Sequence, residues 1–302
     1  MTNPEIPAVP DVSLVSRLIA YQFPQWANLP LIRFNSTGTV NAIYRLGEEM
    51  VVRFPLDERG ALQLQKEHHW LPSLAPRLPL AIPTSLAAGR PTKDYPWHWS
   101  VYQWIKGDNA IEGHIDNPYQ AAATLANFVT TLQSIDTAGG PPPGDHNFGR
   151  GFPLAMRDEG VREVMTKLHN TIDTAAATSA WELSLHAQPW QGPPVWIHGD
   201  LLAGNLLVEN GQLSAIIDFG GLGVGDPACD WMFAWNLLNV EERKKLRSSL
   251  SVDDSTWIRG SGWALSVGLF ALPYYQTRNP VFAGVARRLI DEVLADYKKG
   301  LL

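Results

Sequence analysis

Cysteine is nearly absent from this sequence, with Cys229 as the single example in 302 residues. One cysteine cannot form an intramolecular disulfide, which excludes the small secreted domains that depend on such cross-links. A thiol of this kind is more often a buried core residue than a catalyst. We therefore expect Cys229 to lie in the core of a protein that is folded without disulfides.

No leader segment, membrane span or dense basic tract is predicted from the sequence. Residues 1–11 contain no basic segment followed by an apolar stretch, so no signal peptide is expected and the cytoplasm is the default location. The most apolar segment, residues 263–275, is too short to cross a bilayer and predicts a buried helix. A formal net charge of −6 without a dense Lys/Arg run argues against a nucleic-acid surface and is compatible with a cationic small substrate. The expected partner is a small molecule, with no nucleic acid and no membrane, and the chain is expected to be a monomer or a homodimer.

The periodicity of apolar residues changes along the chain. The first third alternates helical and strand-like patterns, and the remainder is mostly helical. Helices are predicted at 11–23 and 60–74, and strands at 31–34, 42–46, 50–54, 84–88 and 98–104. Later helices are predicted at 119–135, 153–186 and from 230 to the C-terminus, with short strands at 195–198, 205–208 and 213–217. This pattern predicts an α+β protein with a small N-terminal antiparallel-sheet lobe, residues 1–104, and a larger helical C-terminal lobe, residues 105–302.

The most informative segment runs from His198 and Gly199 through Asp200 to Asn205, and it is followed by Asp218 at the end of an apolar run. A carboxylate, an amide five residues later and a second carboxylate before glycines form the pattern of a kinase catalytic loop and its metal-binding aspartate. Asp200 can orient an attacking hydroxyl and accept its proton. Asn205 and Asp218 offer the hard oxygen ligands that Mg²⁺ prefers. The alternative is a plain hairpin turn, because Asp, Asn and Gly also favour turns.

Residues 196–231, from Trp196 through Asp218 to Asp226, Asp230 and Trp231, closely resemble the aminoglycoside phosphotransferase family. The resemblance extends weakly over nearly the whole chain. It implies a bilobal, protein-kinase-like fold that binds ATP and Mg²⁺ between the lobes, with Asp200 as the catalytic base and Asn205 and Asp218 as metal ligands. It does not imply a particular substrate.

The N-terminal lobe carries weaker candidates for nucleotide binding. The segment with Ser36, Thr37 and Gly38 resembles a phosphate-covering loop, although an ordinary hairpin turn explains it nearly as well. Arg53 stands where kinases usually have a lysine, and the resemblance makes Glu67 its partner. A solvated strand-edge arginine and a surface glutamate are the alternatives.

The segment with Gln103 and Ile105 resembles the interlobe hinge, where main-chain groups of these two residues would bind adenine. This assignment depends on the resemblance alone, because recognition through the backbone leaves little side-chain signature.

Candidates for substrate contact come from the aromatic and acidic residues of the C-terminal lobe. Indole faces can stack on sugars or attract ammonium groups, and carboxylates can pair with cations. The candidates are Asp230, Trp231, Trp235, Asp291 and Glu292. A structural role is the alternative for each: core packing for the tryptophans, a first helical turn for Asp230 and a solvated helix face for the other acids.

Three functions agree with this pattern. The first is an ATP-dependent O-phosphotransferase that acts on an aminoglycoside-like antibiotic or a related natural product. The second is a housekeeping kinase of a small metabolite such as choline, a sugar or an amino alcohol. The third is a nucleotide-binding pseudokinase without catalysis, suggested by the sparse glycines near Gly38 and by Arg53.

Overall fold

The computed structural model describes residues 9–34 and 40–302. The contacts within the chain divide it into two compact units. The first comprises residues 1–77 and 81–106, and the second comprises residues 78–80 and 107–302. The first unit combines a five-stranded sheet with two α-helices, and helices dominate the second unit, which confirms the α+β class predicted from the sequence.

The first unit is built on a five-stranded sheet. Its strands, β1 (Leu31–Phe34), β2 (Asn41–Leu46), β3 (Met50–Pro55), β4 (Ser85–Gly89) and β5 (Trp99–Gln103), follow the order β1-β2-β3-β5-β4, and every neighbouring pair is antiparallel. Helix α1 (Val12–Gln22) begins after Asp11, whose carboxylate accepts a hydrogen bond from the N–H of Leu14. Helix α2 (Glu58–Leu74) is capped in the same way by Asp57. Tyr44, Phe54 and Trp99 are fully buried in the core of this unit.

The second unit contains seven helices and two small sheets within its described residues. The helices are α3 (Pro118–Gln133), α4 (Asp158–Lys167), α5 (Thr174–His186), α6 (Phe233–Leu237), α7 (Val240–Ser249), α8 (Asp254–Tyr275) and α9 (Pro280–Lys298). Strands β6 (Asp108–Asn109), β8 (Leu206–Glu209) and β9 (Gln212–Ile216) form one antiparallel sheet, and β7 (Val195–Ile197) pairs with β10 (Gly223–Gly225) in the other.

Two details of the second unit differ from the helices expected from periodicity. The predicted helix 153–186 is interrupted, because α4 ends at Lys167 and α5 starts only after Asp173, whose carboxylate caps the N–H of Ala176. Its first residues form a separate 3-10 turn, Leu154–Arg157. An aspartate that favours an N-cap competes with helix continuation at that position.

Helix α8 contains the apolar segment 263–275 and is buried along most of its length. Within residues 9–34 and 40–302, no helix has both the length and the apolar composition needed to cross a membrane. Cys229 lies buried in the same unit, and burial raises the pKa of its thiol.

Candidate active site

Strand pairing brings the two motif segments of the second unit together. Residues 198–205 connect β7 to β8, and residues 217–222 connect β9 to β10. Because β7 pairs with β10 and β8 pairs with β9, both connections lie at the same end of these strand pairs. A hydrogen bond of 2.9 Å from the N–H of Ile217 to the carbonyl of Asn205 joins them directly.

Glycines allow the two connections to touch backbone to backbone. Gly199 has a φ of +82°, and a Cβ there would lie 2.5 Å from the carbonyl oxygen of Gly221. A Cβ on Gly221 would lie 2.7 Å from the carbonyl oxygen of His198. These distances exclude larger side chains without a shift of the backbone. The glycines beside Asp200 and Asp218 therefore set how closely the two aspartates approach.

Asp200 and Asn205 form a hydrogen-bonded pair. The side-chain N–H groups of Asn205 donate to the carbonyl oxygen and to the Oδ2 atom of Asp200, both at 2.8 Å. Because both contacts use the amide nitrogen, Oδ1 of Asn205 is the atom left to accept a donor or to bind a cation. This places one carboxylate and one amide oxygen in the same turn.

The environment of Asp200 changes its acidity. Desolvation by the surrounding protein raises the pKa of this carboxyl, although 36% of the side chain remains exposed. The guanidinium of Arg150, 3.4 Å away, lowers the pKa, and the charge of Asp218 raises it. The net direction is upward, which suits a group that accepts a proton during a reaction.

Asp218 is exposed at the start of the 3-10 turn Phe219–Gly221. Its φ of +61° lies in the left-handed region, which aspartate adopts more readily than most residues. Oδ1 of its carboxylate accepts a hydrogen bond from the N–H of Gly220. Its influence on the pKa of Asp200 shows that the two carboxylates interact electrostatically.

Buried polar side chains hold residues 198–205 in place. Asp230 is fully buried, and its two carboxylate oxygens accept the N–H groups of His198 and Gly199, each at 2.7 Å. Burial raises the pKa of Asp230 to about 7, against the opposing effect of these two hydrogen bonds. Further along, Oδ1 of Asn236 accepts the N–H of Ala203 at 2.6 Å.

The segment that follows β10 is fixed by a second buried contact. The carboxylate of Asp226 forms two hydrogen bonds with the guanidinium of Arg259, at 2.8 and 3.0 Å. Both side chains are buried. Bidentate pairing of this kind fixes orientation as well as distance.

In the first unit, Arg53 on β3 donates to Oε2 of Glu67 on α2 at 2.8 Å. The hydroxyl of Tyr102 donates to the same oxygen at 2.7 Å, while Oε1 of Glu67 is buried without a partner. The arginine is 11% exposed and the glutamate is not exposed at all. The pairing of these two side chains, expected from the resemblance, is therefore present, and neither is a solvated surface residue.

The structure says less about the remaining nucleotide-binding candidates. Ser36, Thr37 and Gly38 lie outside the described residues. Gln103 ends β5 with an exposed side chain, and Ile105 follows it and is half-buried.

Four of the five substrate candidates have structural contacts within the second unit, and the fifth, Asp291, is exposed. Trp231 and Trp235 are buried in the core, where neither indole face is open to a ligand, and Asp230 is engaged by the backbone as described above. Glu292 pairs with the buried Arg243 at 2.7 Å. Asp291 is exposed and pairs with Arg287, its neighbour one turn earlier on α9.

Sequence reasoning missed Arg150, Asn236 and Arg259. Arg150 lies 50 positions before Asp200 in a loop rich in glycine and proline, so no local spacing connects the two. Asn236 and Arg259 lie on α6 and α8, within patterns that resemble ordinary helices. Only a three-dimensional contact could identify these residues.

The sequence and the fold of this chain are similar to those of known phosphotransferases. A family model described as the phosphotransferase enzyme family matches residues 32–263. The chain is 25% identical over 165 residues to an aminoglycoside 3'-phosphotransferase of Escherichia coli, a match that covers 52% of this chain and 59% of that relative. It is 27% identical over 112 residues to a hygromycin-B 4-O-kinase of Escherichia coli, covering 35% of this chain and 33% of the relative. Each match thus spans less than two thirds of the relative's length.

The fold is similar to that of a mutant aminoglycoside 2'-phosphotransferase-IIIa solved in complex with GDP. The TM-score is 0.72 at 20% identity, and the superposition covers 97% of this chain and 100% of that chain. At this identity the likeness concerns the fold alone. It confirms the kinase-like fold that the sequence predicts.

Proposed function

Because this chain belongs to the phosphotransferase enzyme family, as its resemblance to aminoglycoside phosphotransferases predicts, we propose that it transfers the γ-phosphoryl group of ATP to a hydroxyl of a small molecule. The observation that carries the proposal is the hydrogen-bonded pair of Asp200 and Asn205, joined through the backbone to the turn that presents Asp218. An accidental hairpin turn would not need a desolvated carboxylate held by an arginine and an amide.

Asp200 is the proposed catalytic base. The acceptor oxygen forms a bond to the γ-phosphorus, and the bond from that phosphorus to the bridging oxygen breaks, leaving its electron pair on ADP. The hydroxyl proton passes to the carboxylate of Asp200, which its raised pKa equips to hold the proton until solvent removes it. The guanidinium of Arg150 opposes that rise and so favours the ionised carboxylate that accepts the proton.

The donor atoms of Asn205 and Asp218 fit Mg²⁺. The available atoms are the amide Oδ1 and carboxylate oxygens, which are hard ligands, and none is sulfur or imidazole nitrogen. Within residues 9–34 and 40–302, no cluster of three His, Cys, Asp or Glu residues could hold a metal by itself. Mg²⁺ in phosphoryl transfer is usually held by one or two side chains together with the phosphates. Bound there, it would neutralise charge on the phosphate oxygens.

Arg53 is the proposed phosphate contact in the first unit. Its pairing with Glu67 fixes the guanidinium and leaves 11% of the side chain exposed. A planar guanidinium can bind phosphate through two N–H groups, whereas lysine acts as a point charge. The main-chain groups of Gln103 and Ile105 are the proposed adenine contacts.

The relatives' names support an acceptor that is an aminoglycoside-like antibiotic or a related natural product. ATP is the proposed donor because it is the commoner one, although the structural neighbour was solved with GDP. The cytoplasm is the proposed location.

Turnover of the Asp200→Asn variant tests the proposal. The substitution keeps the size of the side chain and removes the proton acceptor, so we expect kcat to fall by about 10²- to 10⁴-fold while Mg·ATP still binds. Asp218→Ala should abolish Mg²⁺-dependent nucleotide binding as well. Both are measured by ATP consumption with a panel of aminoglycosides, macrolides and small alcohols, together with calorimetric binding of Mg·ATP.

A matched control is Asp254→Asn, which changes a carboxylate that is 92% exposed on α8. It should behave as the unmodified chain. Unchanged turnover in Asp200→Asn would remove Asp200 as the base, and the absence of acceptor-dependent ATP consumption by the unmodified chain would remove the proposed reaction.

A further inference from the structure

A cavity of about 400 Å³ opens in the second unit beside the segment that carries Asp200. It is lined by residues of the loop after β6, by the start of α3, by Ala203, by the end of α6 and by the start of α9. Most of the lining is aliphatic, with Ile111, Ile115, Leu237, Val281 and Val285 among the larger side chains. A cavity of this size and composition suits a small organic molecule.

The walls of the cavity are attached to residues 198–205. Ala203 lies between Asp200 and Asn205, and its N–H donates to Asn236, which also lines the cavity. A Cβ on Gly204 would lie 2.9 Å from the ring of Phe282, so the glycine allows α9 to approach this segment. Asn109 donates to the carbonyl of Gly204 from the other side. The cavity is thus built onto the loop that carries the proposed base.

Arg288 is the permanently charged side chain among the described residues that line the cavity, and none of them is an aspartate or a glutamate. His114 also lines it and lies 3.4 Å from the carboxylate of Asp116. The Arg288 side chain is 42% exposed and donates to the carbonyls of Asn236 and Leu237, and the carboxylate of Glu292 lies 3.9 Å from it. Carboxylates attract polycations, whereas a fixed positive charge beside a cavity disfavours the binding of a polycation there.

A glycine on α9 borders the cavity. Gly284 lines the cavity from inside α9, and a Cβ built on it meets no atom within 4 Å. Glycine weakens a helix relative to alanine, so its presence usually reflects a close contact. Gly262 and Gly268 on α8 illustrate such contacts, with neighbouring atoms 2.6 and 2.8 Å from the added Cβ. Gly284 has no such neighbour among the described residues, so no close contact explains it, and the space beside it is open to a ligand.

We propose that this cavity binds the acceptor and that it selects an uncharged, largely apolar alcohol over a polycationic aminoglycoside. The inference rests on the proposed phosphoryl transfer, and of the two acceptor classes proposed above it favours a related natural product over an aminoglycoside. Burial of apolar surface against the aliphatic lining supplies the affinity. The guanidinium of Arg288 at the cavity supplies the discrimination against cations.

Binding in the presence of Mg·ADP tests the inference without turnover. The probes are three uncharged alcohols, chloramphenicol, 2-naphthylethanol and geraniol, and two polycations, kanamycin and hygromycin B, each titrated by calorimetry. We expect at least one uncharged alcohol to bind at least tenfold more tightly than either polycation. Gly284→Trp should weaken that binding at least tenfold, because the indole would occupy the cavity.

Two control variants separate filling of the cavity from damage to the fold. Gly284→Ala changes the helix but adds little volume, and Ser248→Trp adds an indole to an exposed position of α7. Both should bind the alcohol as the unmodified chain does. If Gly284→Trp proves unfolded by circular dichroism, Gly284→Leu takes its place with the same expectation.

The outcomes for the acceptor class and for phosphoryl transfer are distinguishable. Tighter binding of kanamycin or hygromycin B, the absence of binding by all three alcohols, or alcohol binding that is unaffected by filling the cavity would each overturn the inference. Phosphorylation of kanamycin by Mg·ATP would leave phosphoryl transfer intact and overturn only the acceptor class. Alcohol binding without phosphorylation of any probe would support the cavity and count against the transfer reaction.

Discussion

The sharpest prediction concerns Asp230 and its buried carboxylate. Burial raises its pKa from 3.8 in the unfolded chain to about 7 in the folded protein. A carboxyl whose pKa is higher in the folded protein than in the unfolded chain favours folding as long as it is protonated. Its contribution to stability is fully present below the pKa of the unfolded chain and is lost as the pH rises through the pKa of the folded protein. Each pH unit between 5 and 7 should therefore cost about 1.4 kcal/mol of stability, or about 3 kcal/mol between pH 5 and pH 8.

Asp230→Asn removes this titration. The amide stays neutral at every pH but offers one acceptor oxygen where the carboxylate accepts two N–H groups, from His198 and Gly199. One backbone N–H left unpaired costs about 1–3 kcal/mol. At pH 5 the unmodified chain should be more stable than the variant. By pH 8 its advantage should have fallen by about 3 kcal/mol, so that the order approaches equality or reverses.

Urea unfolding followed by tryptophan fluorescence at pH 5, 6, 7 and 8 measures this difference. The carboxyl of Asp200 also has a raised pKa and is present in both proteins. Its charge is the smallest of the effects on the pKa of Asp230, so most of the difference between the two proteins comes from Asp230 itself. A stability difference that stays constant from pH 5 to pH 8 would refute the reasoning. The same variant should lower kcat more than it raises KM, because Asp230 contacts the backbone of the catalytic segment and no ligand.

Three further predictions follow from contacts in the two units. Glu67→Gln should raise the KM for ATP about tenfold, because Arg53 loses the charge that orients it, and initial rates at varied ATP measure this. Arg150→Met should move the acid limb of the kcat/KM profile to higher pH, since the guanidinium lowers the pKa of Asp200; a profile that stays in place would contradict this. Arg243→Met should lower the free energy of unfolding by about 3–5 kcal/mol in urea titrations, because the buried carboxylate of Asp296 loses its cation and keeps the indole N–H of Trp235 as its side-chain partner; a loss under 1 kcal/mol would argue against that role.

The strands that flank the catalytic segment could be predicted because each is a short β-rich run bounded by turn residues. The strand β10 could not be predicted, since Gly223–Gly225 contains a single β-branched residue and gains its conformation from pairing with β7. Strand β6, with only two residues, depends in the same way on β8. Pairing across the chain, and not local preference, forms such strands.

The candidate site could be predicted where its residues are adjacent in sequence. Asp200 and Asn205 belong to one turn, so their spacing alone predicts their contact. The substrate candidates illustrate the opposite case, because an indole that stacks on a ligand and one that fills a core look the same in sequence. Trp231 and Trp235 proved to be core residues, and nothing in their local sequence distinguishes the two roles.

The burial of Cys229 has a practical consequence for chemical labelling. Its sulfur is enclosed and its raised pKa keeps it protonated, so maleimides and disulfide reagents should leave the native protein unmodified. Since the chain contains no other cysteine, a thiol introduced at an exposed position would be the sole reactive handle on the molecule. A spectroscopic reporter could then be attached at one chosen site without first removing any native residue.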